Sequence, residues 1–189
     1  MKRFAIIAVA LLMISAGAGS AVAEEEKSIA FFDCTLSMAT EPAGGFGKTA
    51  GFRVGESVDV TDSMKLSDEK VKVHIRGDLA YYEWDDTQFG FDVSYKRIIF
   101  FGGGRYFIPM SGRGGVAPYL EGGLELSYDD VETASPVGTV IVTDIRLGLA
   151  GGAGLEIPLA DDLVLGFNGR LRIIADSFLT LGVSLGVKF

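Results

Sequence analysis

Cations, cysteine and histidine are scarce in this chain: 17 lysines and arginines stand against 25 acidic residues, with one cysteine and one histidine among 189 residues. Each shortage excludes something. Cys34 has no partner for an internal disulfide and lies too far along the chain to be a lipid-modified terminal cysteine, so it reads as an inert small apolar residue. His74 alone cannot build a zinc constellation, and no cofactor is expected. The negative balance speaks against a nucleic-acid binder. Past residue 23 no apolar run reaches the roughly 18 residues that a membrane-spanning helix needs. Helical periodicity is hard to find at all.

The amino terminus is set apart from the rest. Lys2 and Arg3 precede an apolar run from Phe4 to Ile14, followed by small residues that end in Ala21-Val22-Ala23. A basic start, a short apolar centre and an A-x-A end form a secretory signal peptide over residues 1–23. Its removal leaves a single domain, residues 24–189, with 15 basic against 25 acidic residues and a net charge of −10. The composition is nevertheless 48% hydrophobic with 26 glycines. Some apolar surface must therefore face something other than water.

What is abundant is alternation. In LTLGVSLGVKF, Leu179, Leu181, Val183, Leu185, Val187 and Phe189 share one face of an extended chain, and Thr180, Gly182, Ser184, Gly186 and Lys188 the other. VKVHIRGDLAYYEW from Val71, APYLEGGLELSYD from Ala117, DIRLGLAGGAGLEI from Asp144 and LVLGFNGRLRI from Leu163 repeat the pattern. With RIIFFGGGRYF from Arg97, runs near 46–58 and 29–38, and the terminal strand, about eight strands result. Residues 108–116 and 158–161 read as short turns, whereas 85–96 and 130–142 read as longer polar loops on the opposite rim. Two links fit this scheme poorly: 61–70 is long for a basal turn and 175–177 short for an outer loop.

Alternation fits both a soluble barrel with an apolar interior and a membrane barrel with an apolar exterior. The polar face decides between them. It mixes Gly, Ala and Ser with single charges of both signs, which suits a narrow bore packed by side chains better than a water-facing coat. Arg76, Asp78, Arg105, Glu121, Glu125, Arg146, Arg170 and Arg172 share the inward phase and are expected to form an ion-pair network filling the lumen. If the turn at 108–116 is symmetric, Gly103 opposes Glu121 and Arg105 is its diagonal neighbour. Tyr81, Tyr106, Tyr128 and Phe189 fall near strand ends, where interfacial aromatics sit. One residue conflicts with this phase: Glu56 in FRVGESVDV would face lipid with Phe52, Val54, Val58 and Val60. Either Gly55 marks a bulge, or the spanning part stops near Val54.

The terminal aromatic on an amphipathic last strand, with PYLEGGLELSY (118–128) and GLAGGAGLEIPLADDLVLGFNGRLRI (148–173), resembles the small OmpA/OmpX-like bacterial outer-membrane β-barrel family. The likeness is clear from about residue 71 onward. It implies a single all-β domain, an eight-stranded antiparallel up-and-down transmembrane β-barrel, with Phe189 as the signal read by the outer-membrane assembly machinery. It also implies contact with outer-membrane lipid and lipopolysaccharide, and roles in envelope integrity, adhesion to an extracellular partner, or narrow transport.

Some barrels of this size modify lipid A through a serine, histidine and carboxylate. Here any such site must use His74, which falls near the periplasmic end, away from an outer-leaflet substrate. Three readings remain, in order: a non-enzymatic structural or surface-interaction barrel, a narrow porin-like channel, and a lipid A-modifying enzyme. The acidic groups Glu83, Asp85, Asp86, Asp92, Asp129, Asp130 and Glu132 are expected in outer loops as a solvated surface, since calcium-loop spacing is absent. GFGKTAG (45–51) lacks the frame of a phosphate loop.

Overall fold

In the computed structural model, residues 30–39, 49–62, 64, 71–88, 91–109, 115–174 and 177–188 are described. They form β1 (Ala30–Ala39), β2 (Thr49–Asp59), β3 (Lys72–Gln88), β4 (Phe91–Phe107), β5 (Ala117–Ser135), β6 (Gly138–Pro158), β7 (Leu163–Ile173) and β8 (Ser177–Lys188). Each strand pairs antiparallel with its sequence neighbours, and β1 closes on β8 to complete an eight-stranded up-and-down barrel. Among the described residues there is no helix. Closure leaves no open sheet edge at the level of the full ring, as a structure surrounded by lipid requires.

The two faces fall as the alternation predicts. Leu124, Leu147 and Leu181 are 57, 71 and 58% exposed on the outside, whereas Arg105, Arg170 and Arg172 are 2, 0 and 0% exposed within. An exterior of Leu, Val, Ile and Phe around a charged interior is a barrel solvated by hydrocarbon. Inward glycines make the narrow bore packable. A Cβ at Gly154 would collide with the Tyr119 ring, and one at Gly103 with Phe101 and the Gly122 carbonyl.

Four expectations need correction. First, 85–96 and 130–142 are not loops. β3 and β4 run to Gln88 and from Phe91, while β5 and β6 meet at Pro136–Val137. These strands rise above the ring, and there the polarity of the two faces inverts. Outward positions change from Tyr81 and Tyr128 to Glu83, Asp85, Asp130 and Glu132 as lipid gives way to water. Inward positions become Trp84, Tyr95 and Val131, which pack over the mouth of the bore. Inversion hides the two-faced pattern, so strand reads as polar loop.

Second, Gly103 pairs with Gly123, and Arg105 lies directly opposite Glu121. The hairpin is offset because Ile108 N–H donates to Pro118 O at 2.8 Å, carrying the ladder past the end of β4. Third, Asp129 is a buried inward group rather than a loop acid. Fourth, no bulge occurs at Gly55, since β2 stays in unbroken register with both neighbours and Glu56 keeps the outward phase. Glu56 lies between Phe32 on β1 and Gly77 on β3, and Gly77 pairs in turn with Gly102, so one side of it opens over two outward glycines. Residues 1–29, Lys48, Phe189 and the side chain of Cys34 lie outside the described residues.

Candidate functional site

The bore is built from side chains of even phase on β3 and β6–β8 and odd phase on β2, β4 and β5, all held in register by the ladders. Near the lower rim Arg105 reaches Glu156 at 2.5 Å and Glu121 at 3.2 Å, its guanidinium 3.8 Å from the centre of the Tyr119 ring. Above it Arg170 is the hub. Its Nη1 and Nη2 donate to the two oxygens of Asp78 at 3.1 and 2.9 Å, its Nε donates to Glu121 at 2.8 Å, and Glu125 lies 3.7 Å away. Phe101 stacks under it at 3.9 Å. Asp78 also meets Arg76 at 3.1 Å and Arg53 at 3.9 Å, and Glu125 pairs with Arg172.

Seven of the eight residues singled out from the sequence are thus joined into one chain of contacts, while Arg146 belongs elsewhere. It binds Asp144 at 2.8 Å and approaches Asp129 at 3.6 Å, at the upper mouth. Asp129 is the anchor there. It receives Arg97 Nε at 2.7 Å and Nη2 at 2.8 Å, and the Tyr95 hydroxyl at 3.0 Å. Arg97 is also hydrogen-bonded to Tyr95. An aromatic layer of Tyr82, Trp84, Tyr95 and Phe178 lies beside it, Trp84 stacking on Tyr95 at 5.4 Å between centroids. Planar, paired guanidinium–carboxylate contacts of this kind are the strong form of the interaction.

Arg53, Arg97, Asp129 and Glu156 were not expected in the network. For Arg53 and Glu156 the signal was present: both occupy the polar phase of alternating runs. Asp129 shares the polar phase of Glu121, Glu125 and Ser127 but was counted with the acids of a polar loop, and Arg97 stands at the first position of its run, so neither was placed in the bore.

No protein-family model and no curated protein matches the sequence. Solved structures do match the fold. Ail, the attachment invasion locus protein of Yersinia pestis, shares 16% identity over 86% of this chain and 97% of its own, with a TM-score of 0.56; it has been seen alone and with the heparin analogue sucrose octasulfate. The outer membrane protein OprG from Pseudomonas aeruginosa shares 13% over 87% of this chain and 97% of its own, with a TM-score of 0.56. The fold is that of the small eight-stranded outer-membrane β-barrels. A major outer membrane protein from Thermus thermophilus matches in the same way, with 12% identity, 85% and 99% coverage and a TM-score of 0.54.

Within this outer-membrane barrel fold, His74 sits at the rim where β1 begins, β8 ends and β6 turns into β7. Its Nδ1 is 3.5 Å from Ser57 Oγ, and its Nε2 is 3.6 Å from Asp59 Oδ2. Residue types of a hydrolytic triad are therefore adjacent. Both separations exceed a good hydrogen bond. Ser57 is buried, leaving a substrate no approach, and the other oxygen of Asp59 is held by the Thr61 amide at 2.9 Å and its hydroxyl. The ring packs on Phe107 at 4.7 Å.

Proposed function

We propose that the protein is a non-enzymatic barrel of the bacterial outer membrane, exported through a cleaved signal peptide, whose plugged body carries a raised sheet for contacts at the cell surface. The observation behind this reading is the bore itself. Arginines, carboxylates and aromatic rings interlock from the Arg105–Glu156 pair up to the Arg97–Asp129 clasp, and the arginines among them are buried. An eight-stranded ring leaves an interior just wide enough for side chains, and here they are charged pairs that water would have to displace. A permeation path is disfavoured on that account. Catalysis is disfavoured by the spacing and burial around His74.

Orientation rests on the heights of the hairpins. The β3–β4 and β5–β6 hairpins extend well beyond the ring on one side, which marks the outside, and the opposite rim, where β1 begins and β8 ends, is then periplasmic. The outward face of the raised sheet is acidic, with Glu83, Asp85, Asp92, Asp130 and Glu132 against Lys96. A sulfated sugar such as the one seen on Ail is therefore a poor fit to that face. Single-channel recording in planar bilayers tests the plug. No reproducible ohmic steps are expected from the folded protein, and steady conductance from protein shown to be folded by its heat-modifiable migration would establish the channel reading instead. Mass spectrometry of lipid A from cells with and without the protein tests the enzyme reading, which a change in acyl chains lost in His74→Ala would support.

A further inference from the structure

Among the described residues the raised sheet has two edge strands, and they are unlike. β3 pairs with β2 only up to Tyr82, so Glu83–Gln88 is one edge, and it carries Glu83, Asp85 and Asp86. β6 pairs with β7 only from Leu149 downward, while its register with β5 continues to the Ser135–Gly138 pair. Among the described residues, β6 above Leu149 therefore has a partner on one side only. Exposed edges are ordinarily blunted by charge, proline or a bulge. The β3 edge is blunted by carboxylates. The β6 edge reads Thr139-Val140-Ile141-Val142-Thr143, without a charge, and its three central side chains are 63, 61 and 58% exposed.

The two-residue turn at Pro136–Val137 makes Ser135 and Gly138 the closing pair, and alternate pairs along the hairpin exchange backbone bonds. Gly138, Val140 and Val142 thus point their backbone groups at β5. Thr139, Ile141 and Thr143 point theirs at the open side.

We propose that this edge pairs antiparallel with the same edge of a second copy, about a two-fold axis at Ile141, joining barrels held in two facing membranes. About that axis Ile141 meets Ile141, Val140 meets Val142 and Thr139 meets Thr143, so like meets like at each position, with β-branched cross-strand pairs throughout. Moving the axis to Thr143 sets Val142 against Asp144 and Val140 against Arg146. Moving it to Thr139 leaves only the turn to pair with. Symmetry then fixes the geometry of the two membranes. β6 runs from its turn down into the bilayer, and an antiparallel partner runs the other way, so the second barrel points in the opposite direction. Two copies in one bilayer are related by an axis along the membrane normal, which sets equal backbone groups face to face or crosses the strands, and no ladder forms. Contact is homotypic and from cell to cell.

This inference rests on the outer-membrane reading above, and its test separates the two. Outer-membrane vesicles from cells without O-antigen, carrying the full chain, are followed by light scattering and two-colour co-localisation. Wild-type vesicles cluster. Ile141→Pro removes an amide directed at the open side and leaves the β5 ladder intact, so clustering falls by about tenfold or more as the two central hydrogen bonds are lost. Val140→Lys vesicles and Val142→Glu vesicles each fail to cluster alone, and the mixture regains clustering because residue 140 of one copy faces residue 142 of the other. Wild-type vesicles that stay dispersed, Ile141→Pro vesicles that cluster like wild type, or a mixture no better than its components would each overturn the pairing. Heat-modifiable migration of every variant on a detergent gel completes the test. Wild-type protein that migrates as folded yet does not cluster refutes the edge pairing alone, whereas a wild-type band unmoved by boiling refutes the barrel reading beneath it.

Discussion

Replacing Glu125 by Met strips Arg172 of its carboxylate at the centre of the bore. Both side chains are fully buried, and Arg170, the other cation near Glu125, keeps Asp78 and Glu121. The damage is therefore confined to one uncompensated arginine, which costs about 3–5 kcal/mol in an interior of this kind. Removing both charges with Glu125→Met/Arg172→Met takes away the desolvation penalty as well, and returns stability to within about 1 kcal/mol of wild type or above it. The cycle thus shows a coupling energy of about 3 kcal/mol or more. Asp144→Ala is the control. Arg146 and Asp144 are 32 and 52% exposed at the upper mouth, so that loss is about 1 kcal/mol or less. The assay is urea unfolding of the barrel in phospholipid vesicles, followed through its single tryptophan, the buried Trp84. A Glu125→Met loss as small as that of Asp144→Ala, with the double substitution simply additive, would refute a bore stabilised as a coupled network.

Two further outcomes follow from the packing. Gly154→Val places branched carbons where the Tyr119 ring lies, and the heat-modifiable folded band should be lost or greatly reduced; a normal yield of folded protein would show the lower bore to be loosely filled. Glu56→Leu replaces an outward carboxylate beside Gly77, and raises stability by about 1 kcal/mol in the same urea assay if that position faces lipid; a loss would mean that Glu56 has a favourable partner at the rim.

The ring itself was readable from period two because, at bilayer depth, each strand separates hydrocarbon from a packed polar bore. Leu179 to Val187 on the outside and Arg170 and Arg172 within follow from that rule alone. The raised sheet was not readable, for a physical reason. Above the membrane the outside meets water and the inside meets aromatic rings, so the same strands carry the opposite pattern. Trp84 and Tyr95 fall in this inverted zone, whereas Arg97 and Asp129, polar and inward, close the bore just below it. The network could be named by phase but not wired, because pairing such as Arg170 with Asp78 joins strands far apart in sequence across the bore. The offset of the hairpin after Phe107 likewise depends on one backbone bond that no residue type announces.

A nitroxide scan along residues 179–187, in a protein with Cys34 replaced by Ala and inserted in lipid vesicles, measures directly which face of a strand meets hydrocarbon. Collision with oxygen should peak at positions 179, 181, 183, 185 and 187 and vanish between them, with little access for a water-soluble nickel complex. Peaks at 180, 182 and 184, or nickel access along the leucine face, would contradict the assignment of sides.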